Sequence, residues 1–389
     1  MDLIDKLKNV FREIKMRLQD NSYDSLLWIV NIVPNLAGFS IRGDTISALF
    51  WIVHLTMLTY LYGVGSLVYQ IRFARTPGDY IKSYVNVSLI VLIANNSYWF
   101  IKKRPLLKLT LGELCESDEL SRSNPIFRTI HERAIFRIKI IILTFYGFNL
   151  TNAIGVYLPH RVDVLNNYAM TPCVGMEPLS SSPNREICLT LLFLQEISIM
   201  TVVLNYQALL LLVIAHTALL YRLLSYEIMK LTEFDAVKYF NNPNVNILLP
   251  VLIRRHAIIL RIIENLKALY SVPIGVNFGS NAVCMSLFFY LPLQEWLQFM
   301  PVLAYCFLVF FLYCFLCQRL TNAAEFFERA VYACGWESFT TKERKAVYFM
   351  LRQAQKPVEI LAADIIPVNI ATFATTLQAI FKLFTVFKF

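Results

Sequence analysis

Asp364, Asn369, Thr372, Thr375, Thr376, Gln378, Lys382 and Thr385 interrupt a closing segment that is otherwise apolar as far as Phe389. Hydroxyl, amide and ammonium groups in such a run suit the hydration of ions. Facing hydrocarbon they would be costly, so a span that carries them needs one face on protein or water, as a pore-lining helix has. Gln378, Lys382, Val386 and Phe389 are four, four and three residues apart and share one helical face. If that face lines a pore, Val386 makes an apolar ring near the outer mouth, a constriction able to gate by dewetting. The competing reading puts Val386 in a protein contact and lets Lys382 snorkel outward. A Lys in the lumen also opposes cation passage, which tells against a pore of four identical copies.

A second set falls at matching depth in the outer halves of four apolar segments: Tyr84, Val87 and Ser88; Tyr146, Asn149, Asn152 and Ala153; Phe193, Ile197 and Met200; Met300 and Tyr305. Together they would enclose a small apolar cavity with few hydrogen-bonding groups, suited to a small, largely hydrophobic ligand. Interhelical packing is the competing reading for each residue taken singly, since Ser, Thr and Asn commonly join helices. Glu196 is harder to dismiss, because an unpaired charge in a span costs roughly 2.5 kcal/mol or more. It must be protonated, be paired or face a wet cavity. Gly-rich phosphate loops, paired His and Cys spacings and the nucleophile elbow are absent, so no enzyme, metal or cofactor is expected. For His54, His216 and His256 packing or an interhelical hydrogen bond outweighs metal ligation.

The elements that must position these residues are membrane spans. Of 389 residues, 57% are hydrophobic and only 16% charged, far from the composition of soluble domains. Seven segments qualify: Thr45 to Tyr69, Ile81 to Ile101, Ala134 to Leu158, Cys188 to Leu212, Val272 to Leu291, Leu297 to Cys317 and Ile365 to Val386. The fold class is therefore an all-α membrane protein with seven transmembrane helices, multi-pass in a lipid bilayer. Of the 36 Lys and Arg residues, 29 fall on one side, which makes the N-terminus cytoplasmic and the C-terminus extracellular. The net charge of +9 is mostly this topology signal plus attraction to inner-leaflet lipid; no basic and aromatic domain stands apart to bind nucleic acid.

Residues 1–44 form a cytoplasmic amphipathic segment, with Leu3, Ile4, Leu7, Val10, Phe11, Ile14 and Leu18 at helical spacing and no signal-peptide core. Residues 45–317 hold the first six helices, the pocket and cytoplasmic helix extensions, residues 318–361 a cytoplasmic anchor helix, and residues 362–389 the pore-lining seventh helix. Apolar stripes from Ile253 to Leu269 and from Ala324 to Leu351 need partners, and one helical anchor bundle beneath the membrane supplies them; helices lying on lipid are the alternative. Cys173 and Cys188 flank one extracellular loop and could pair, or Cys188 could be a buried thiol.

Several short runs carry a family resemblance over most of the chain: Arg255-His256 with Ile258 to Leu260 and Glu264 to Leu266, then Cys284; Ala330 to Trp336; Arg352 to Pro357; Thr372-Phe373 and Phe384-Thr385. In these the sequence resembles insect odorant receptors of the odour-tuning type. The resemblance implies an odorant-binding subunit of a ligand-gated, non-selective cation channel, assembled as a heterotetramer with the odorant receptor co-receptor in the plasma membrane of an olfactory dendrite. It also implies a small volatile organic ligand among the second, third, fourth and sixth spans, and a gate at Val386. Two departures matter. Ile380 to Lys382 stands where the family often has Ser-Tyr-Ser, and the short Leu231 to Asn246 segment lacks the co-receptor's long insertion. A gustatory-type channel for non-volatile tastants is the alternative function, and a secondary transporter a more distant one, since no inverted repeat is visible.

Overall fold

The computed structural model describes residues 12–36, 47–122, 125–162, 173–233, 243–288, 290–291, 296–297 and 300–388. A helix at residues 12–19 is followed by α1 (Tyr23–Leu36), α2 (Ala48–Arg72), α3 (Pro77–Lys102), α4 (Arg104–Arg122) and α5 (Pro125–Val162). The long α6 runs through Asn184–Ile199, the π-helical turn Met200–Leu204 and Asn205–Glu233. Then come α7 (Pro243–Phe288), α8 (Met300–Tyr332), α9 (Thr341–Ala354), a hairpin of β1 (Leu361–Ala362) and β2 (Ile366–Pro367), and α10 (Ile370–Lys388).

Local chemistry explains several of these boundaries. α3 opens on a capping box: Asp79 N–H donates to Thr76 Oγ1, the Asp79 carboxylate accepts from Thr76 N–H, and Pro77 takes the first helical position, where its missing N–H costs nothing. α9 repeats the device with Thr340 and Glu343. Between α8 and α9 the chain turns at Gly335, whose φ of 71° is left-handed and suits a residue with no Cβ. The helix at 12–19 is docked by Lys139 of α5, whose buried ammonium donates to the carbonyl oxygens of Arg17, Leu18 and Asp20 at its C-terminal end. The rest of that N-terminal amphipathic stripe, Leu3 to Phe11, lies outside the described residues.

α6 is the axis of the bundle. Every residue from Thr201 to Ile214 is buried. The most apolar stretch of α6 is 83% buried, against 28–39% for the other helices long and apolar enough to cross a membrane, which are α2, α3, α5 and α8. A helix apolar all round belongs inside, whereas its neighbours leave apolar faces for lipid or another subunit. Of the remaining two expected spans, α10 is a shorter apolar helix, Ile370–Leu383. The second half of α7 carries buried Asn277 and Asn281, and α10 carries the polar residues that mark the closing segment.

At the basic end the helices continue past the spans as an anchor bundle. α7 is one unbroken helix of 46 residues and α8 one of 33, so the fifth and sixth spans and their extensions are single rods. α4 belongs to this bundle too, although the sequence reading assigned no helix to 104–122. Its Leu107, Leu111 and Leu114 are buried at four- and three-residue steps. Its acids meet bases of α5, α6 and α7: Glu113 with Arg261 at 3.0 Å, Glu116 with Arg254 at 2.8 Å, and Asp118 with both His131 (2.6 Å) and His216 (3.0 Å). Burial alone would raise the Asp118 carboxyl, and the hydrogen bonds from the two imidazoles overcome it and hold it well below the usual carboxylate range. Glu227 and Arg255 form a buried ion pair, with Arg255 Nη2 also donating to Ser121 Oγ at 2.6 Å. Burial still raises the Glu227 carboxyl despite the guanidinium, so the pair fixes how α6 meets α7 more than it adds net stability.

The closing helix starts later than the sequence reading placed it. Ile365 to Pro367 belong to the hairpin, because Pro367 lacks an N–H and disfavours helix at the residue before it. Asn369 caps α10 instead, its Oδ1 accepting from Thr372 N at 2.8 Å. Asp364 therefore lies outside the helix. It sits with Ala363 in a left-handed turn (φ 59° and 51°) held against α7. Ala363 N donates to Ser271 O at 2.8 Å, Asp364 N to Ser271 Oγ at 2.8 Å, and Ser271 Oγ to Asp364 Oδ1 at 2.5 Å. Gly275, one turn further along α7, gives the hairpin room for this approach.

Candidate functional site

Cys173 and Cys188 form a disulfide beside the outer end of α6, and Tyr60 of α2 donates to Val174 O at 2.8 Å, tying the loop to the bundle. Below it lies a cavity of about 140 Å³. α3 lines it with Asn86, Leu89, Leu92 and Ile93, α5 with Asn149, Asn152 and Ala153, and α8 with Pro301, Val302 and Tyr305. α6 contributes Leu192, Gln195, Glu196, Ile199, Met200, Val203 and Leu204, and α2 contributes Tyr62. Both π-helical turns, Thr59–Val64 in α2 and Met200–Leu204 in α6, supply wall residues. The wider turn re-aims side chains where a regular helix would not, a use often met at functional sites.

Of the residues expected from sequence, Asn149, Asn152, Ala153, Met200 and Tyr305 come together around this cavity. Tyr84, Val87, Phe193, Ile197 and Met300 do not; they are between 39% and 54% exposed on the outside of the bundle. The depth is the same and the helix face is wrong. In α3 the wall follows Asn86, Leu89 and Ile93, so Tyr84 and Val87 point away from it. In α6 the wall follows Leu192, Gln195, Glu196 and Ile199, and Phe193 and Ile197 lie on another face. Ser88 instead joins α3 to α7, with its Oγ 2.8 Å from Val85 O and 2.7 Å from Cys284 Sγ, and with Ser280 Oγ donating to Ser88 O at 2.8 Å. Tyr146 packs against the central core beside Phe145, at 5.9 Å between ring centroids.

The polar wall is uneven. Asn149 Nδ2 donates to Phe145 O at 2.7 Å and Gln207 Nε2 to Tyr305 Oη at 2.6 Å. Both amide ends of Asn86, Nδ2 of Asn152 and Nε2 of Gln195 are buried with no hydrogen-bond partner among the described residues. Ser198, one turn from Gln195, bonds to His54 Nδ1 at 2.8 Å, and His54 Nε2 reaches Ser97 Oγ at 3.2 Å, so His54 bridges three helices as packing. Glu196 faces the cavity, and no Lys, Arg or His is among the lining residues. Among the described residues no cluster of three or more His, Cys, Asp or Glu is placed to hold a metal ion.

α10 divides cleanly. Ile380 is buried, and Ile370, Phe373 and Leu377 pack on the core, the Phe373 ring lying 5.2 Å from Phe310 and 5.4 Å from Phe307. The other face presents Thr375, Gln378 and Lys382 uncovered. Val386 is helical but its side chain, like all of Phe389, lies outside what the structure describes.

The fold is similar to that of the insect olfactory receptor OR5 from Machilis hrabei, with a TM-score of 0.75 and 16% identity over 92% of this chain and 97% of that one. A second structure of that receptor, in complex with eugenol, matches with the same score at 15% identity, over 92% of this chain and 96% of that one. In sequence, Odorant receptor 67a of Drosophila melanogaster is 27% identical over 138 residues, a stretch spanning 34% of each protein. The sequence profile of the 7tm Odorant receptor family matches residues 96–381, most of the chain, and this protein therefore belongs to that family.

Proposed function

We propose that this chain is the odorant-binding subunit of a ligand-gated, non-selective cation channel, with the cavity between α3, α5, α6 and α8 as its ligand site. One observation carries the reading: a mostly apolar cavity of about 140 Å³ sits among the spans, and its wall holds buried amide groups with no hydrogen-bond partner among the described residues. Such a site rewards a small molecule that brings both apolar surface and a hydrogen-bonding group. The family membership supports it, as does the eugenol complex of the Machilis receptor, a small phenol bound to the same fold.

The uncovered face of α10 carries the second half of the proposal. Thr375, Gln378 and Lys382 would line the conduction path with the equivalent helices of other subunits, and Val386 would form the outer constriction. A single lysine per subunit in the lumen favours a mixed assembly, so the partner proposed is the shared co-receptor, in the plasma membrane of a sensory neuron. Ligand binding opens the path only through a difference in affinity between closed and open arrangements.

The test is co-expression with the co-receptor and recording of currents evoked by a volatile panel. Evoked cation current that is lost when the co-receptor is left out supports the reading. Silence under every volatile despite surface expression, or full activity of this chain alone as with a gustatory-type channel, contradicts it.

A further inference from the structure

We infer that the cavity selects small volatile amines and that Glu196 is the residue that recognises them; this rests on the cavity being the ligand site. Glu196 lines the cavity with no Lys, Arg or His among its neighbours on the wall. A carboxyl group inside the membrane gains little from being there unless something of opposite charge, or a donor, meets it. Among the described residues that line the site none supplies a cation, which leaves the ligand to do so.

The neighbouring amides point the same way. Asn86 and Gln195 are almost wholly buried, and Asn86 Oδ1 has no donor while Gln195 Nε2 has no acceptor. An ammonium group carries three N–H donors and no acceptor. The cavity offers it Glu196, and the unpaired amides of Asn86, Gln195 and Asn152 belong to the same wall. An amine crosses lipid as the free base. If Glu196 holds the proton beforehand, it passes from the carboxyl oxygen to the amine nitrogen, and the resulting ion pair has no net charge. A carboxylic acid of the same size would meet like charge, and a hydrocarbon would leave every one of these groups unpaired. Size limits the rest of the ligand: about 140 Å³ is close to the ~150 Å³ of an engineered cavity that holds benzene. One ring or a short chain with one amino group fits.

Benzylamine, benzyl alcohol, toluene and benzoate share one skeleton and differ in the group presented to Glu196. Binding is read first by thermal stabilisation of the purified full-length chain, which needs no channel activity, and then by current from the co-expressed channel. The expected ranking is benzylamine ahead of benzyl alcohol, with toluene weaker and benzoate without effect. Glu196→Gln is expected to weaken benzylamine by at least about thirtyfold while leaving benzyl alcohol within about threefold, the loss typical of removing one member of a buried charge pair. Glu196→Asp, which keeps the charge, should retain the amine preference. Should the Gln variant fail to fold, the wild-type ranking decides alone. Benzyl alcohol or toluene binding as tightly as benzylamine, or benzylamine binding unchanged in a folded Glu196→Gln protein, overturns the inference. Benzylamine binding without evoked current would support the amine site and sink the channel reading instead.

Discussion

Replacing Gly275 by alanine should pry the hairpin away from α7 and weaken the protein by an amount the geometry sets. A Cβ at position 275 would lie 2.7 Å from Ala363 Cβ, 2.9 Å from Ala363 N and 3.2 Å from Ala363 Cα. Ordinary contact begins near 3.4 Å, so the hairpin turn must retreat by about 0.7 Å, and two of the three atoms are backbone with no rotamer to escape into. The three hydrogen bonds between Ser271 and residues 363–364, at 2.8, 2.8 and 2.5 Å, would stretch by a similar amount. Overpacking of this kind costs about 1–3 kcal/mol, and each weakened hydrogen bond up to about 1 kcal/mol more. The expected loss is about 2–4 kcal/mol, read as thermal or denaturant unfolding of the purified chain. Ala363→Gly supplies the check. It removes the nearest clashing atom and relaxes a left-handed residue, so alone it should stabilise by about 0.5–1 kcal/mol, and in the double mutant it should recover part of the loss, the backbone N at 2.9 Å and Cα at 3.2 Å still crowding the new Cβ. Since the hairpin leads directly into the cap of α10, the single mutant should also shift ligand potency. Unfolding of Gly275→Ala identical to wild type, or a double mutant no better than the single, would refute the close approach.

Three further outcomes are expected. Glu227→Ala leaves the Arg255 guanidinium buried beside Ser121 alone and should cost about 3–5 kcal/mol, whereas Glu227→Met with Arg255→Leu should fall near wild type; equal unfolding of single and double mutants would remove the pair from that role. His256, whose ring is tilted against Phe327 with centroids 4.6 Å apart, is pushed by burial down to about 4, so the unfolded chain takes up its proton first as pH falls. The stability this group contributes is complete above about pH 6.5 and is lost as pH falls toward about 4, some 2 kcal/mol of it by pH 5; His256→Phe should remove that slope, and an unchanged pH profile of unfolding would contradict the assignment. Ala153→Trp should fill the cavity, abolishing ligand-evoked current while surface expression persists; undiminished responses would place the ligand elsewhere.

Span number was open to sequence reading because it depends on a bulk quantity, apolar length. The anchor rods were legible for a related reason: Ile258, Ile262, Leu266 and Leu269 repeat at helical spacing and are all buried. Rotation about a helix axis is a finer quantity. In a lipid-exposed bundle both faces are apolar, so nothing in the residue types separates Val87, which faces outward, from Leu89, which faces the cavity. The polar residues were the better guide. Asn149 and Asn152 line the cavity, and Asn86, Gln195 and Glu196, equally polar, lie within two residues of positions chosen on the wrong face. Tyr62, Val203 and Leu204 depend on π-helical turns, and a single extra residue in a turn leaves no mark in composition. The polarity of the closing segment proved to have several causes. Asp364 fastens a turn, Asn369 caps a helix, and Thr372 bonds back to Pro367 O at 2.6 Å, which leaves Thr375, Gln378 and Lys382 as the uncovered polar face.

The central claim is that the cavity among α3, α5, α6 and α8 is where an activating ligand sits. A structure of the chain assembled with its co-receptor and bound to an activating volatile tests it most directly. Ligand density between Asn86, Asn152 and Glu196, with the uncovered face of α10 turned to the conduction path, is the predicted result. Density in another cavity with this one unfilled, or α10 packed into lipid away from the symmetry axis, would contradict it.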